Sequence, residues 1–356
     1  MLDTLLVGTP ASKSLTDKEV ALAVEQLLDA AIPPEIKAEF LTRLALKGET
    51  IAEISAFARA LRAKAVAVPL STTTRAQEIL DVVGTGGDRL GTFNISTTAA
   101  IICAAAGITV AKHGNRAATS RCGSADVLQA LGVPIDMSPE SAAHALQEVG
   151  FAFFFAPKYH PTFKNVAAAR KLCAERGQRT IFNFLGPLLN PASPSAMLMG
   201  VPRPEMCEPL ARVLQSLGVR RAMVVCGEVS GKSSVGSGGA YLDELSTLGN
   251  NTIAEFYQQN GFTSSVLSLE QFPIQVASLE ELEGSGCDAN AALVVSLLNA
   301  EERGPKRDAV LLNSAAALFV AGRSRSLAEG WDIAAETIDK GAASSKLRAL
   351  QLFSGN

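Results

Sequence analysis

The apolar positions of residues 16 to 65 recur every three or four residues, which is typical of helices packed on one face. Thr16 with Glu19, and Thr50 with Glu53, match the capping box that opens many helices. Pro33-Pro34 marks the start of a further helix between them. The pattern predicts a small helical domain within residues 1 to 70. The apolar positions that carry it are Val20, Ala23, Val24, Leu27, Leu28, Ile36, Phe40, Leu41, Leu44, Ile51, Ile54, Phe57, Ala58 and Leu61.

From residue 71 to residue 356, short apolar runs alternate with alanine-rich helical stretches, which predicts a larger α/β domain. Runs that are apolar throughout favour strands buried on both faces, as in a mainly parallel sheet. Ser124 to Gly132 and Ser138 to Gly150 are predicted helices, and the glycine- and serine-rich stretch Val229 to Ala240 is predicted to be a flexible surface loop. The candidate strands are Ile79 to Val83, Ile108 to Ala111, Gly150 to Ala156, Met197 to Val201 and Ala222 to Cys226.

The composition supports this fold class and narrows the kind of ligand. Hydrophobic residues make up 47% of the chain and aromatic residues 5%, so the apolar content is mainly aliphatic, as expected of helices packed on a sheet. Lys and Arg number 32 against 35 Asp and Glu, and neither sign forms a block. This balance argues against sequence-independent electrostatic binding to nucleic acid or to an anionic membrane surface, so we expect a small ligand.

The six cysteines are scattered and include no C-x-x-C pair, so we predict reduced thiols in a reducing compartment. The N-terminus lacks a basic stretch followed by a sustained apolar run, which argues against a secretory signal. No segment is long and apolar enough to span a bilayer. These features predict a cytoplasmic protein.

The segment from Asp81 to Asp88 (DVVGTGGD) places three glycines and an acid directly after a predicted strand. Glycines can take positive φ angles and let the backbone approach a ligand, so that N–H groups point at a bound anion. Taken alone, the same turn equally suits a tight connection between a strand and a helix. Neither a G-x-x-x-x-G-K-[ST] loop nor a G-x-G-x-x-G fingerprint occurs, which disfavours a nucleotide triphosphatase.

Two further segments favour an anionic ligand. Thr92 to Thr97 (TFNIST) leads into an apolar helix, where a phosphate is favoured, although Asn94 or Ser96 could also serve as a simple helix cap. Lys112 to Ser120 (KHGNRAATS) brings two cations and two hydroxyls to the end of a predicted strand, where parallel sheets bind their ligands. Solvated surface charge is the alternative for this last segment.

Together these segments resemble the anthranilate phosphoribosyltransferase family. The motifs occur in the order found in the family and extend over nearly the whole chain, so the resemblance is specific. They are GTGGD, TFNIST, KHGNRAATS, GSADVLQALG, Tyr159-His-Pro with Arg170, Arg179-Thr-Ile-Phe-Asn-Phe-Leu-Gly-Pro-Leu-Leu-Asn-Pro191, Leu242-Asp-Glu-Leu-Ser246 and Gly304-Pro-Lys-Arg-Asp-Ala-Val310.

The resemblance implies an enzyme of tryptophan biosynthesis, a glycosyltransferase that moves the phosphoribosyl group of phosphoribosyl pyrophosphate (PRPP) to the amino group of anthranilate. It implies the nucleoside phosphorylase and phosphoribosyltransferase type of fold, with helices from about residues 165 to 190 joining the N-terminal helical domain and the active site in the cleft between domains. It also implies a homodimer, and it leaves association with a glutamine amidotransferase open.

The resemblance further implies the residues of the site. The residues that would bind PRPP are Gly84, Gly87, Asp88, Thr92, Asn94, Ile95, Ser96, Thr97, Lys112, His113, Gly114, Asn115, Arg116, Ala117, Ala118, Thr119, Ser120 and Ser124. Those that would contact anthranilate are Gly84, Asn115 and Arg170. Those that would hold two Mg²⁺ ions are Ser96, Asp243 and Glu244.

The chemistry of these side chains agrees with the implied roles. Oxygen donors and a diphosphate suit Mg²⁺, although an Asp243-Glu244 pair taken alone is more often solvated surface. Arg170 offers a planar fork to a carboxylate, whereas alone it would be a structural or surface arginine. His113 and His160 are candidates to line the acceptor pocket or to be structural. The amine of anthranilate is unprotonated at neutral pH, so we assign no general acid or base.

Two other functions remain as alternatives. A pyrimidine nucleoside phosphorylase shares this type of fold, but KHGNRAATSRCGSAD is not one of its motifs. A non-catalytic nucleic-acid-binding relative would require a basic surface, whereas this chain has a formal net charge of -3.

Overall fold

The computed structural model describes residues 2, 5, 14–117, 121–233, 239–257 and 260–354. Ala118, Thr119 and Ser120, three of the predicted PRPP-binding residues, lie outside these ranges. The helices are α1 (Asp17–Leu28), α2 (Pro34–Lys47), α3 (Ile51–Arg62), α4 (Thr72–Ala76), α5 (Ile95–Ala105), α6 (Ser124–Ala130), α7 (Pro139–Glu148), α8 (Ala156–Tyr159), α9 (Lys164–Glu175), α10 (Phe182–Leu185), α11 (Cys207–Ser216), α12 (Cys287–Leu298), α13 (Pro305–Val320), α14 (Leu327–Asp339) and α15 (Ala342–Leu352). The strands are β1 (Ile79–Gly84), β2 (Thr109–Gly114), β3 (Phe151–Phe155), β4 (Ala196–Gly200), β5 (Arg221–Ser233), β6 (Gly239–Leu242), β7 (Asn251–Tyr257) and β8 (Asn260–Leu267).

The three N-terminal helices form where the periodicity predicts them. Thr16 and Thr50 each accept the N–H of the glutamate three residues later, and that glutamate accepts the N–H of the capping residue, so both capping boxes are confirmed. α9 packs against α2, and its buried Val166, Ala169 and Cys173 share an apolar cluster with α1 to α3. A helix from later in the chain therefore packs onto the N-terminal group. The domain boundary at residue 70 and the extent of the joining region stay predictions.

The sheet is mainly parallel, as the apolar runs predict. Its strand order is β3-β2-β1-β4-β5-β7-β8, with β6 paired to β5. β1 to β5 pair in parallel, and β6, β7 and β8 extend the sheet with antiparallel pairs. All five candidate strands are present. Alternate residues of the central strands enter two cores: Leu198 and Met223 face the cluster formed with α5 and α13, whereas Met197 and Val224 face the N-terminal helices.

The predicted surface loop from Val229 to Ala240 is wrong at its two ends. β5 continues to Ser233 and β6 begins at Gly239, so both ends belong to an antiparallel pair. The glycine- and serine-rich ends of this stretch form strands because each receives its backbone hydrogen bonds from the other. Local composition alone does not indicate such pairing. Residues 234–238 lie outside the described part of the chain. None of the helices within the described ranges is both long and apolar enough for a membrane span.

Candidate active site

Three neighbouring strands end in glycine at the same edge of the sheet. β1, β2 and β4 end at Gly84, Gly114 and Gly200, and Gly84 is paired with Gly200. The backbone then turns sharply after β1, with φ angles of 73° at Gly86 and 90° at Gly87. Residues with a side chain rarely adopt such angles. The predicted anion-binding turn therefore has the backbone shape that its glycines suggest.

The loop that carries Asp243 and Glu244 packs directly on these strand ends. The Gly86 N–H donates to Asp243 Oδ2 at 2.5 Å. A Cβ atom at Gly84 would lie 2.5 Å from that same oxygen, and a Cβ atom at Gly200 would overlap the main-chain carbonyl of Asp243. Glycine at both strand ends is thus what lets the acidic loop reach the glycine turn.

Asp243 is buried and Glu244 is half-buried, so the acidic pair is not simply solvated surface. Burial, together with the negative charges of Asp88 and Glu244, raises the pKa of Asp243 well above its ordinary value. Burial raises the pKa of Glu244 to about 7, although the Lys112 ammonium and hydrogen bonds from Ser96 act in the opposite direction. Crowded carboxyl groups of this kind create a negative potential that a bound cation would relieve.

Ser96 and Lys112 meet the acidic pair from two other elements. Lys112 is 1% exposed, and its Nζ donates to the Val82 carbonyl at 2.6 Å and to Ser96 Oγ at 3.5 Å. Burial lowers the pKa of Lys112, and the charge of Glu244 is among the groups that oppose this shift. The backbone N–H and the hydroxyl of Ser96, in the first turn of α5, lie near the Glu244 carboxylate and act to lower its pKa, and the helix dipole there favours negative charge.

The donor set at this point fits Mg²⁺. No three His, Cys, Asp or Glu side chains form a metal-binding group within the described ranges. The oxygen donors present are the carboxylates of Asp243 and Glu244 and the hydroxyl of Ser96. Mg²⁺ usually takes one or two carboxylates and completes its shell with water and phosphate oxygens. This set suits an ion that binds together with a phosphorylated ligand.

The segment after β2 is held in place by Asp126, a residue without a role in the sequence-based prediction. The Asp126 carboxylate pairs with Arg116 at 2.7 Å and accepts the N–H groups of Ala117 at 2.8 Å and Gly123 at 3.0 Å. The Ser124 hydroxyl donates to the Asn115 carbonyl at 3.2 Å. The positive charge of Arg116, which was predicted to bind PRPP, is thus already paired with Asp126. Hydrogen bonds join the described part of the segment to the start of α6.

Asn94 joins two segments and does not cap α5 with its side chain. Its amide nitrogen donates to the Cys122 carbonyl at 3.0 Å, and its amide oxygen accepts from Asn290 at 3.0 Å. Ile95 and Thr97 are buried within α5, so their side chains face the protein interior. Thr92 lies farther along the same edge and pairs with Glu283.

Two cysteines near this site are paired, which corrects the prediction that all six are reduced. Cys122 precedes α6 and Cys287 begins α12, and the two form a disulfide with their Cα atoms 5.1 Å apart. They are separated by 165 residues in the sequence, so no local motif indicates the pair. Cys103, Cys173, Cys207 and Cys226 are free and buried.

We expect alkylation of the denatured, unreduced protein to label four of the six cysteines, because Cys122 and Cys287 are joined. After reduction all six should react. Mass spectrometry of the intact, alkylated protein measures the count, and Cys287→Ser, which leaves Cys122 without its partner, is the matched variant. Six labels without any reductant would contradict the pairing.

A second group of side chains lies beside the first and is largely aromatic. Ring centroids of His113 and His160 are 5.5 Å apart, those of His160 and Phe163 are 4.9 Å apart, and those of Phe163 and Phe182 are 5.9 Å apart. Arg170 Cζ lies 5.4 Å from the Phe182 ring centroid, and Arg170 has no carboxylate partner in the described part of the chain. An aromatic series that ends at an available guanidinium suits an aromatic carboxylate.

Several residues that shape both groups have no role in the sequence-based prediction. These residues act through partners between 9 and 126 residues away, or by approaching another backbone; they are Gly200, Asp126, Asp81, Asn190 and Arg62. The role of Gly200 could have been predicted from the sequence, because a glycine at the end of a buried strand often marks a place where another backbone comes close. The others give no local signal.

Comparisons with known proteins place similarity to one enzyme family along nearly the whole chain. Residues 76–344 match the family described as glycosyl transferase family, a/b domain, and residues 2–65 match glycosyl transferase family, helical bundle domain. The anthranilate phosphoribosyltransferase of Pelotomaculum thermopropionicum is 42% identical over 356 residues, which covers 100% of this chain and 97% of that protein. That of Methanosphaerula palustris is 43% identical over 352 residues, which covers 98% of each.

Solved structures give the same result. The crystal structure of anthranilate phosphoribosyltransferase from Thermus thermophilus has a TM-score of 0.85 and 39% sequence identity, and it covers 99% of this chain and 98% of that one. The Saccharomyces cerevisiae enzyme in complex with PRPP and Mg has a TM-score of 0.83 at 24% identity, and it covers 98% of this chain and 95% of that one. At that identity the second comparison shows a shared fold.

Proposed function

The chain belongs to the anthranilate phosphoribosyltransferase family, and we propose that the residues gathered at the strand ends carry out the family's reaction. The enzyme transfers the phosphoribosyl group of PRPP to the amino group of anthranilate and gives N-(5-phosphoribosyl)anthranilate and pyrophosphate, in tryptophan biosynthesis. The observation that carries the residue assignment is the contact of the Asp243-Glu244 loop with both the glycine turn and Ser96.

In this proposal the leaving group is handled at the acidic loop. Asp243, Glu244 and Ser96 hold two Mg²⁺ ions, which supply positive charge to the departing pyrophosphate. Lys112 is already desolvated and lies beside Ser96, so its ammonium group would add positive charge beside the same oxygens. The yeast relative solved with PRPP and Mg supports the choice of ligand and ion.

The rest of PRPP is bound mainly by backbone and hydroxyl groups. The Gly87-Asp88 end of the glycine turn and the first turn of α5 present N–H groups to phosphate oxygens, and the described residues Asn115, Arg116 and Ser124 lie on the other side. These groups are held before the ligand arrives, so they need little reorganisation as C1′ gains positive charge. Catalysis then rests on positioning and on stabilisation of the leaving group, with no acid or base assigned.

The acceptor lies along the aromatic series in this proposal. Arg170 binds the carboxylate of anthranilate, and Asn115 and Gly84 border the amine end near C1′. A turnover assay tests the function: PRPP, Mg²⁺ and anthranilate are mixed with the protein, and the loss of anthranilate fluorescence is followed. Folded protein that gives no turnover under these conditions would refute the proposal.

We expect Arg170→Ala to raise the KM for anthranilate by about tenfold or more, because a charge-assisted hydrogen bond to the carboxylate is lost. The KM for PRPP should change less than about twofold, since Arg170 lies at the far end of the aromatic series. The neighbouring Lys171→Ala is the control, because Lys171 is exposed and pairs only loosely with Glu175. A selective increase in the KM for PRPP would contradict the placement of Arg170.

We further propose a cytoplasmic homodimer. Ile36, Leu46 and Ile51 are large apolar residues exposed on the N-terminal helices, which supports association through that region. A glutamine amidotransferase is a further partner to test by co-purification. Neither alternative function gains support, because the full-length relatives described above are anthranilate phosphoribosyltransferases.

A further inference from the structure

The short turn Gly186–Leu189, followed by Asn190, lies between the N-terminal helices and the sheet and contacts both buried histidines. The backbone of Gly186 lies close enough to the His113 ring to raise its pKa, and His160 Nε2 lies 3.0 Å from the carbonyl of Leu189. One four-residue turn therefore lies against both imidazoles and supplies a hydrogen-bond partner to His160.

These contacts determine which ring nitrogen carries the proton in each histidine. A carbonyl oxygen can only accept, so His160 carries its proton on Nε2. His113 Nε2 is buried without a partner, so the nitrogen that faces the Gly186 backbone, and that we expect to carry the proton, is Nδ1. The remaining nitrogens, His113 Nε2 and His160 Nδ1, are both buried and unpartnered within the described residues.

Both rings are neutral, so each of these nitrogens offers a lone pair. Burial lowers the pKa of His113 to about 3, and neighbouring His160 and Arg62 act in the same direction. Burial also lowers the pKa of His160. Two buried acceptors without donors are costly, and an N–H group of a ligand would satisfy them. The aromatic series that contains both rings is where we place the acceptor substrate, which carries an aromatic amine.

The turn itself is held from two sides. Arg62, the last residue of α3, donates from Nε to the Leu188 carbonyl at 2.5 Å. On the sheet side, Asn190 donates to Asp81 Oδ2 at 2.8 Å and to the Ala111 carbonyl at 2.7 Å. Asp81 and Asn190 are both fully buried, so this side is rigid. Arg62 is the contact that reaches the turn from the N-terminal helices.

We propose that Arg62 is a positioning residue for the reaction: through the Leu188 carbonyl it holds the turn so that Gly186 and Leu189 fix the tautomers of His113 and His160. Both lone pairs are then available to the acceptor: the two N–H groups of an aromatic amine can satisfy both, whereas an aromatic hydroxyl offers one donor and a methyl group none. This last step rests on the proposed function, whereas the tautomers do not.

The tautomers can be measured directly because the chain has only three histidines. Long-range ¹H–¹⁵N correlation spectra of protein labelled with ¹⁵N-histidine distinguish Nδ1–H from Nε2–H rings, and His113→Gln and His160→Gln assign the signals. We expect an Nδ1–H ring for His113, an Nε2–H ring for His160, and exchange-averaged signals for the exposed His144. An Nε2–H ring for His113 in the unmodified protein would overturn the proposal without any need for a variant.

Arg62→Gln should then loosen the turn. We expect the fixed tautomer signals of both buried rings to broaden or shift, the His144 signals to stay, and the KM for anthranilate to rise by about tenfold with the KM for PRPP nearly unchanged. Arg62→Lys keeps the charge but not the Nε donor geometry, so it should show the same direction of change if the first variant fails to fold. Arg59→Gln, on the same helix with an exposed partner, is the control.

Two results for the variants would overturn the proposal: unchanged tautomers in both Arg62 variants, or changed tautomers with an unchanged KM for anthranilate. Failure of the proposed function is a separate result. It would appear as absence of turnover in the unmodified protein even where the spectra show the expected tautomers.

Discussion

Glu244→Gln and Asp243→Asn are each expected to lower kcat/KM on the order of a hundred- to a thousandfold, because each removes negative charge that holds Mg²⁺ against the departing pyrophosphate. Both substitutions keep the shape of the side chain, so the Gly86 N–H still finds an oxygen at position 243 and the Ser96 groups still find one at position 244. Steady-state kinetics at several Mg²⁺ concentrations measure the loss. Higher Mg²⁺ should restore part of it.

The same substitutions should not lower the stability of the metal-free protein. Burial and neighbouring charge raise the pKa of both carboxyl groups, so the ionised forms are disfavoured in the folded state. For Glu244 the folded value is about 7 and the ordinary value is 4.5, so between these values the folded state binds a proton that the unfolded chain has released. The free energy of unfolding therefore falls as pH rises through this window.

Thermal melting in the presence of a chelator checks this expectation. The Tm of the unmodified protein should fall between about pH 5 and about pH 8, and Glu244→Gln, which cannot ionise, should show a flatter profile. Glu270→Gln removes an exposed carboxylate and serves as the control. If Glu244→Gln melted well below the unmodified protein at neutral pH while keeping its activity, the carboxyl group would be structural and the metal assignment wrong.

Gly200→Ala is expected to damage both activity and stability. The new methyl group would overlap the carbonyl carbon and oxygen of Asp243, so the acidic loop would have to move away from the glycine turn. Overpacking of this kind typically costs about 1–3 kcal/mol of stability. Because the shift displaces both proposed carboxylate ligands together, we expect a loss of kcat/KM at least comparable with that of Glu244→Gln, on the order of a hundredfold or more.

A matched glycine separates this effect from a general effect of alanine. At Gly286 a Cβ atom would meet nothing within 4 Å, and φ is -63°, so Gly286→Ala should leave kinetics and melting nearly unchanged. Assays of kcat/KM, the KM for PRPP and Tm distinguish the two variants. Full activity in Gly200→Ala would show that the contact between the acidic loop and β4 is not needed for the reaction.

Local sequence patterns predicted correctly those elements whose formation depends on residues close together in the chain. The capping boxes at Thr16 and Thr50, the five apolar strands and the glycine turn depend on near neighbours in the chain, and the structure has all of them. The ordered motifs also identified the family, which the full-length relatives confirm. The roles of individual residues in the site stay predictions.

Only the tertiary structure decided which side chains meet. Asp243 lies 157 residues after Gly86, Cys287 lies 165 residues after Cys122, and Arg62 reaches Leu188 across 126 residues. No pattern within one segment encodes such contacts, because they arise where the ends of parallel strands and the N-terminal helices converge. The ends of the Val229 to Ala240 stretch were mispredicted for the same reason: their strand pairing is supplied by a partner segment. The sequence thus determined the elements and the family, whereas the packing of those elements decided the burial of Asp243 and the surroundings of the two buried histidines.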